Sequence, residues 1–306
     1  MTIPSVSQIP DPPDRGAADF DTKAQSLVNH LPIFQGELQA IADALNLLIE
    51  ATPTGYVEAG GHGECRLGLS GGSLVLTGIG LGRMRWPDGS SRRVTQSETP
   101  LAATGNANST LYYIYLPKAG PIEKSTTGYV IDSSGIAVKS GDASRVLVGM
   151  ARSTSSGAWA DSATQRFVLS HFNRRPLHLF VGIAANRSTG STSIVEVGLS
   201  ASERIEFLTW ADMPAILSMS GRIANSTANY AARIALWLDG AVPNKGEFTQ
   251  SRTTAGDISH AQISMCPFLL SEGYHYCGFG GGVNGGGTTT LYTSNTTTGL
   301  NAVVWG

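Results

Sequence analysis

The chain has 306 residues, a net charge of −2 and only 14% charged residues, with 41% hydrophobic. Charge usage well under the ~25% of ordinary soluble domains, with no basic surplus to displace counterions, excludes a strong electrostatic nucleic-acid binder. Glycine contributes 37 residues and Ser plus Thr 59, a composition of short strands joined by turns rather than of a helical enzyme. The sequence lacks an uninterrupted apolar run of the ~20 residues that a membrane helix needs, so no membrane insertion is expected. The opening Met1-Thr2-Ile3-Pro4-Ser5-Val6 has no basic region followed by an apolar stretch, so no signal peptide is expected. Three cysteines do not make a disulfide scaffold.

Residues 1–54 stand apart. Residues 1–52 hold Arg15 and Lys23 against Asp11, Asp14, Asp19, Asp21, Glu37, Asp43 and Glu50. An arm, Ile9-Pro10-Asp11-Pro12-Pro13-Asp14-Arg15, is held out of helix by its prolines. Apolar residues then recur at Phe20, Ala24, Leu27, Leu31, Phe34, Leu38, Ile41, Leu45 and Leu48. Their spacing alternates four and three, the heptad seam of helices that pack on one narrow stripe. Pro32 suits the first turn of a helix, so the pattern predicts two helical pieces, over 17–30 and 32–51, meeting at Leu31-Pro32. This seam is the expected oligomerisation and anchor segment. Thr52-Pro53-Thr54-Gly55 closes it.

From residue 55 onward the signals are those of β-structure. Candidate strands are Leu74–Thr77, Leu111–Leu116, Arg145–Met150, Arg166–Leu169, Ile194–Val197, Arg204–Phe207 and Arg233–Leu238. Pro87-Asp88-Gly89, Asp239-Gly240 and Asn284-Gly285 supply the positive φ of tight turns. The expected architecture is mainly β: the helical, coiled-coil-like anchor of 1–54, a middle β-domain over 55–175, and a jelly-roll-like β-sandwich over 176–306. The boundary is placed at Arg174-Arg175-Pro176.

Signatures of chemistry are sparse. His62-Gly63-Glu64-Cys65 would be split between strand faces, and no His-Glu-x-x-His or Cys-x-x-Cys accompanies it, so no metal is expected. Gly78-x-Gly80-x-Gly82 and Gly280-Gly281-Gly282 lack the strand-to-helix setting of a phosphate loop, so no cofactor is expected. Glu196, Glu203 and Glu206 could serve a glycosidase only by converging in a cleft, and wet-face carboxylates are the simpler reading. Cys266 and Cys277 could meet across a hairpin or remain free thiols. After Glu272 the chain carries no charged residue through Gly306. That stretch is expected either to be buried between subunits or to form a neutral binding surface. Tyr274, His275, Tyr276, Asn284, Tyr292 and Trp305 are its candidate receptor contacts, because aromatic rings with a polar tip suit sugar faces.

The segments Ile9–Arg15, Phe20-Asp21-Thr22-Lys23-Ala24 and Leu31–Ala40 resemble the N-termini of tailed-bacteriophage tail fibres and other virion structural proteins. Ser109–Leu116, Val146–Met150 and Ser170–Arg175 are similar to β-modules of such proteins, and the C-terminal part is loosely similar to a phage β-sandwich tip. The resemblance implies a virion protein, made in the bacterial cytoplasm and usually a homotrimer. Its N-terminus would attach to baseplate, tail or collar proteins, and its C-terminus would bind a host-surface glycan or protein without catalysis. A purely structural collar, baseplate or head-decoration protein is the alternative. A capsule-degrading depolymerase is the second.

Overall fold

In the computed structural model, the structure describes residues 62–95, 98–197, 201–244, 246–293 and 298–306, with Asp21, Thr22, Gln25 and Val28. Two compact units divide the chain, Met1–Gly60 and Gly61–Gly306. In the first, those four residues are helical and exposed. The heptad seam itself, from Phe20 to Leu48, lies outside the described residues, as do the arm and the Leu31-Pro32 junction.

The second unit is β throughout. It opens with two hairpins, β1 (Cys65–Ser70) on β2 (Ser73–Gly78) and β3 (Arg83–Arg85) on β4 (Ser91–Arg93). Next come β5 (Leu111–Pro117), β6 (Glu123–Ser125), β7 (Tyr129–Ile131), β8 (Ala137–Lys139) and β9 (Asp142–Arg152), then β10 (Gln165–Arg166) and β11 (Val168–Ser170). The middle sheet runs β6-β5-β9-β8-β7, with β11 also on β9. Both of its faces are covered. Tyr112, Ile114 and Leu116 of β5 enter a core with Leu67, Leu76, Met84 and Trp86 of the hairpins. Tyr115 and Leu147 turn to the opposite core. This two-sided burial explains the unbroken apolar run of β5. Register shifts at Val148, so Val148 faces the hairpin core while Gly149 sits against Leu67 on that side too, as a bulge requires.

The rest of the unit is β12 (Pro176–Gly182), β13 (Arg187–Thr189), β14 (Val195–Glu196), a 3-10 turn (Ala201–Glu203), β15 (Ile205–Thr209) and β16 (Pro214–Asn225). It continues with β17 (Ala231–Leu238), β18 (Glu247–Ser251), β19 (Ser259–Leu269), β20 (Gly273–Asn284), β21 (Thr289–Tyr292) and β22 (Gly299–Trp305). They form two facing sheets. The front sheet runs β10-β15-β20-β17-β18 with β14 on β20, and the back sheet runs β12-β22-β16-β21-β13 with β19 on β16. Leu177, Leu179, Leu300, Ala302 and Val304 of the back sheet share one core with Ile205, Phe207, Ile234, Leu236 and Phe279 of the front sheet. This is a β-sandwich, filled by alternate residues of each strand.

The expected strand Arg166–Leu169 is corrected. It is broken at the fully buried Phe167: Gln165–Arg166 pairs in parallel with β15 of the front sheet, and Val168–Ser170 pairs with β9 of the middle sheet. The two regions are also joined by side chains. Tyr113 and Tyr129 hydroxyls both donate to Glu272, at 3.0 and 2.8 Å. Burial, reinforced by the Glu272 charge, pushes Tyr113 up to about 12, so its hydroxyl keeps its proton. Arg174 Nη1 donates to both Asp212 carboxylate oxygens, at 2.7 and 2.9 Å, and the guanidinium lies 4.9 Å over Trp210.

The charge-free end of the sequence has a reason within the chain. β20, β21 and β22 are interior strands of the two sheets, each with a partner on both sides. Gly280 to Gly282 serve packing rather than phosphate binding. A Cβ at Gly282 would come within 3.1 Å of Ile194 and of the Ser193 carbonyl, so the glycines let the 191–197 segment lie against β20. Asp239 and Gly240 both have positive φ, +51° and +88°, as the turn residues there require. Cys277 is a free, buried thiol on the front sheet, and the strand containing Cys266 belongs to the back sheet.

Candidate functional site

The six candidate receptor contacts do not share one surface. Tyr274 is built into the joint between middle sheet and sandwich. The Arg152 guanidinium stacks 3.8 Å over its ring, Phe167 meets it edge-on, and its hydroxyl donates to Glu206. His275 points into the protein, 7% exposed, and bridges the Asp239 carboxylate at 2.6 Å and the Ser271 carbonyl at 2.8 Å. Tyr276 lies under Arg204, 4.5 Å from the ring centre. Tyr292 stands opposite Arg222, and Trp305 opposite Pro176, both half-buried on the back sheet. The buried Ala302 and Val304 face the core, so Trp305 faces away from it. Asn284 alone is exposed, at the end of β20, where Gly285 turns with φ of +102°.

The three glutamates considered for glycosidase chemistry each have a structural occupation. Glu196 accepts both prongs of Arg204, at 2.6 and 2.5 Å. Glu203, 1% exposed, accepts Arg187 at 2.9 and 2.6 Å and the Ala184 amide at 3.1 Å. Glu206 accepts Gln165 and Tyr274. Among the described residues no group of three or more His, Cys, Asp or Glu is placed to hold a metal ion, and the His62-Gly63-Glu64-Cys65 cluster is no exception.

Near Asn284 the sandwich opens. Where β16 ends and β19 begins, the surface dips into a shallow cleft that encloses no volume of its own. The connectors β16–β17 and β18–β19 form its rim, and the edge strand β18 supplies one wall. Asn225 fixes the frame. Its amide donates to the carbonyls of Ala231 (3.1 Å) and Gly286 (3.3 Å), and its oxygen accepts the Thr227 amide (2.9 Å). The Asn225 carbonyl accepts Gly256, and the Arg252 carbonyl accepts Asn229, so the two rim connectors are tied to each other. A Cβ at Gly287 would come within 2.2 Å of the Asn225 oxygen, which is why glycine closes that turn.

On this frame sit the groups open to a ligand. Tyr230 is 43% exposed and packs on the backbone of Gly285 and Gly286, where added Cβ atoms would approach its ring to 2.5 and 3.1 Å. Arg252 and Asp257 face each other at 3.8 Å, both about half exposed. Gln250, on the inward face of β18 beside Phe248, buries its side-chain oxygen without a hydrogen-bond partner. Only Asn284 of the sequence candidates borders this region, through its pairing with Ala231. Sequence reasoning missed Asn225, Tyr230, Gln250, Arg252 and Asp257. They come from two separate stretches, 225–230 and 250–257, with no common motif, and the one local signal was the turn-forming run Asn284-Gly285-Gly286-Gly287.

No family model matches the chain, and no curated protein matches it. Solved structures similar to it include Eiger TNF from S. frugiperda, at 10% identity and a TM-score of 0.31 over 43% of this chain and 92% of that one. An infectious bursal disease virus Gt strain structure is similar at 11% identity and 0.30, over 66% of this chain and 54% of that one. T=1 particles derived from infectious bursal virus give 10% and 0.31, over 79% and 64%. TM-scores at this level are too low to place the chain in any of these groups.

Proposed function

We propose that the chain is a non-enzymatic bacteriophage virion protein, a tail fibre or spike. Residues 1–54 attach it to the particle, and a jelly-roll-like C-terminal sandwich binds a host-surface glycan. The observation that carries the binding role is the cleft at the mouth of the sandwich. It joins an exposed tyrosine ring and a half-exposed arginine–aspartate pair on a frame locked by Asn225. A rigid frame loses little entropy on binding, and the cleft is shallow, which suits weak single sites multiplied by avidity in a homotrimer. The occupation of Glu196, Glu203 and Glu206 in their own ion pairs and hydrogen bonds supports binding over glycoside cleavage. The N-terminal resemblance supports the virion assignment.

The test is adsorption of the fluorescently labelled full chain to a panel of bacterial strains, each before and after periodate oxidation of surface sugars. Saturable adsorption to at least one strain, abolished by periodate, is expected. Equal adsorption after periodate, or none to any strain, overturns the glycan-binding role.

A further inference from the structure

We infer that the outer face of the back sheet is the surface on which copies of this chain pack against one another. The inference rests on the homotrimer reading above, whose contact surface it names, and is independent of the sugar-binding role. Strand alternation and register select the residues. The buried Leu179, Leu217 and Ala302 face the core. Their neighbours therefore face outward: Phe180 on β12, Val303 and Trp305 on β22, and Ile216 on β16. Leu269 of β19 pairs with Pro214 and extends the row. Phe180 is 45% exposed and Leu269 80%, at opposite margins of the face.

Charge distinguishes this face from the outer side of the front sheet. The four segments that form it, 176–180, 301–305, 214–220 and 267–269, contain no Asp, Glu, Lys or Arg. Arg175 and Arg222 stand at its ends. The front sheet carries ion pairs on its outer side, Arg204 with Glu196 and Arg233 with Glu247, and the middle sheet reaches it through Arg152 on Tyr274. An uncharged, aromatic centre with charge at the rim is the make-up of a protein–protein contact. A second copy is the occupant that fits. An acidic peptide or an anionic lipid surface finds no Lys or Arg along these four segments, whereas the same face of a copy brings no charge to be stranded on burial. Four strands and about seven residues of length give roughly 400 Å² of flat face. Enlarged by the side chains that stand off it, that face is on the order of the ~800 Å² that a specific interface buries per partner. Contact is through side chains rather than strand addition, because the free edge of β12 is in use. The Phe180 amide donates to the Ala163 carbonyl at 2.8 Å, and the Arg166 guanidinium to the His178 carbonyl at 3.1 Å.

The experiment is hydroxyl-radical footprinting of the full chain, read by mass spectrometry, beside its native mass by light scattering. Labelling rather than mass reads the face, because the heptad seam would hold the chains together without it. Tyr230, 43% exposed and outside this face, is the reference. Phe180, Leu269 and Trp305 are expected to label at least about fivefold more slowly than their reactivity and single-chain exposure dictate, as burial in an interface requires, while Tyr230 labels at the rate its exposure dictates. In the double variant Ser218→Glu, Leu269→Asp, Phe180 and Trp305 should return to the faster rate with Tyr230 unchanged, which also reports an intact fold. Slow labelling in a particle heavier than 32.0 kDa supports the assignment. Fast labelling in such a particle overturns this face and leaves the homotrimer standing on other contacts. Slow labelling in a 32.0 kDa particle puts another part of the same chain on the face and overturns the assignment, as does protection that survives the double variant. Fast labelling in a 32.0 kDa particle removes both the face and the homotrimer.

Discussion

Asn225 spends its whole side chain on the backbone of its neighbours, and the rim of the cleft depends on it. Replacing it with alanine strands the Thr227 amide and the Ala231 and Gly286 carbonyls. Leaving such groups unpaired should cost about 2 kcal/mol, read as a lower midpoint in urea unfolding. His171 gives a second test at this scale. Its ring lies against Phe172, Trp210 and Tyr129, with Nδ1 buried and unpaired. Burial, followed by the nearby Arg174 charge, lowers its pKa to about 4, with Asp212 opposing and His62 adding slightly. The unfolded chain takes up this proton near pH 6.5, and the fold resists it until about pH 4. The stability held by the neutral ring is therefore complete above pH 6.5 and falls through that window, by on the order of 3 kcal/mol. The difference between the stability curves of the parent and His171→Phe should show this slope, and a flat difference would refute it. None of this was visible in the sequence, where His171 is a lone histidine; its significance comes from Trp210 and Arg174, brought together by the fold.

At the scale of elements, strand chemistry was the most legible feature. Leu74–Thr77, Leu111–Leu116, Arg145–Met150 and Arg233–Leu238 all fall within strands of the structure, because β-branched and aromatic runs suit a pleated surface wherever it is buried. The failure at Arg166–Leu169 has a physical cause. An apolar run records burial but not which sheet does the burying, and Phe167 is buried while the chain crosses from one sheet to another. The candidate receptor residues dispersed for a related reason. Alternation sends His275 inward and Tyr274 outward onto the middle sheet, while β21 and β22 belong to the other layer of the sandwich. Glycines distinguish the elements further. A Cβ at Gly149 would meet the Leu169 carbonyl at 2.4 Å and Leu67 at 2.5 Å, whereas one at Gly68 meets nothing within 4 Å. Gly149→Ala should destabilise by about 1–3 kcal/mol through overpacking. Gly68→Ala should be neutral or stabilising by up to ~1 kcal/mol, through the unfolded chain. Paired chemical denaturation of the two variants measures the contrast.

For the whole molecule, the proposed role combines an N-terminal seam read from heptad spacing with a β-sandwich proposed to bind at its open end. The β-sandwich was legible because turn residues and short strands recur down the chain; the cleft was not, because its walls come from strands that pair only after the sheets close. The proposed homotrimer predicts a native mass of three times 32.0 kDa in light scattering of the full chain, and a 32.0 kDa particle would remove the avidity argument. The central claim, that the sandwich binds surface sugar without cutting it, is tested most directly on an array of immobilised bacterial surface polysaccharides, following retention of the full chain and the length of the polysaccharide together. The account predicts retention on at least one polysaccharide whose length stays unchanged. Shortening of the bound polysaccharide, or no retention on any of them, would contradict it.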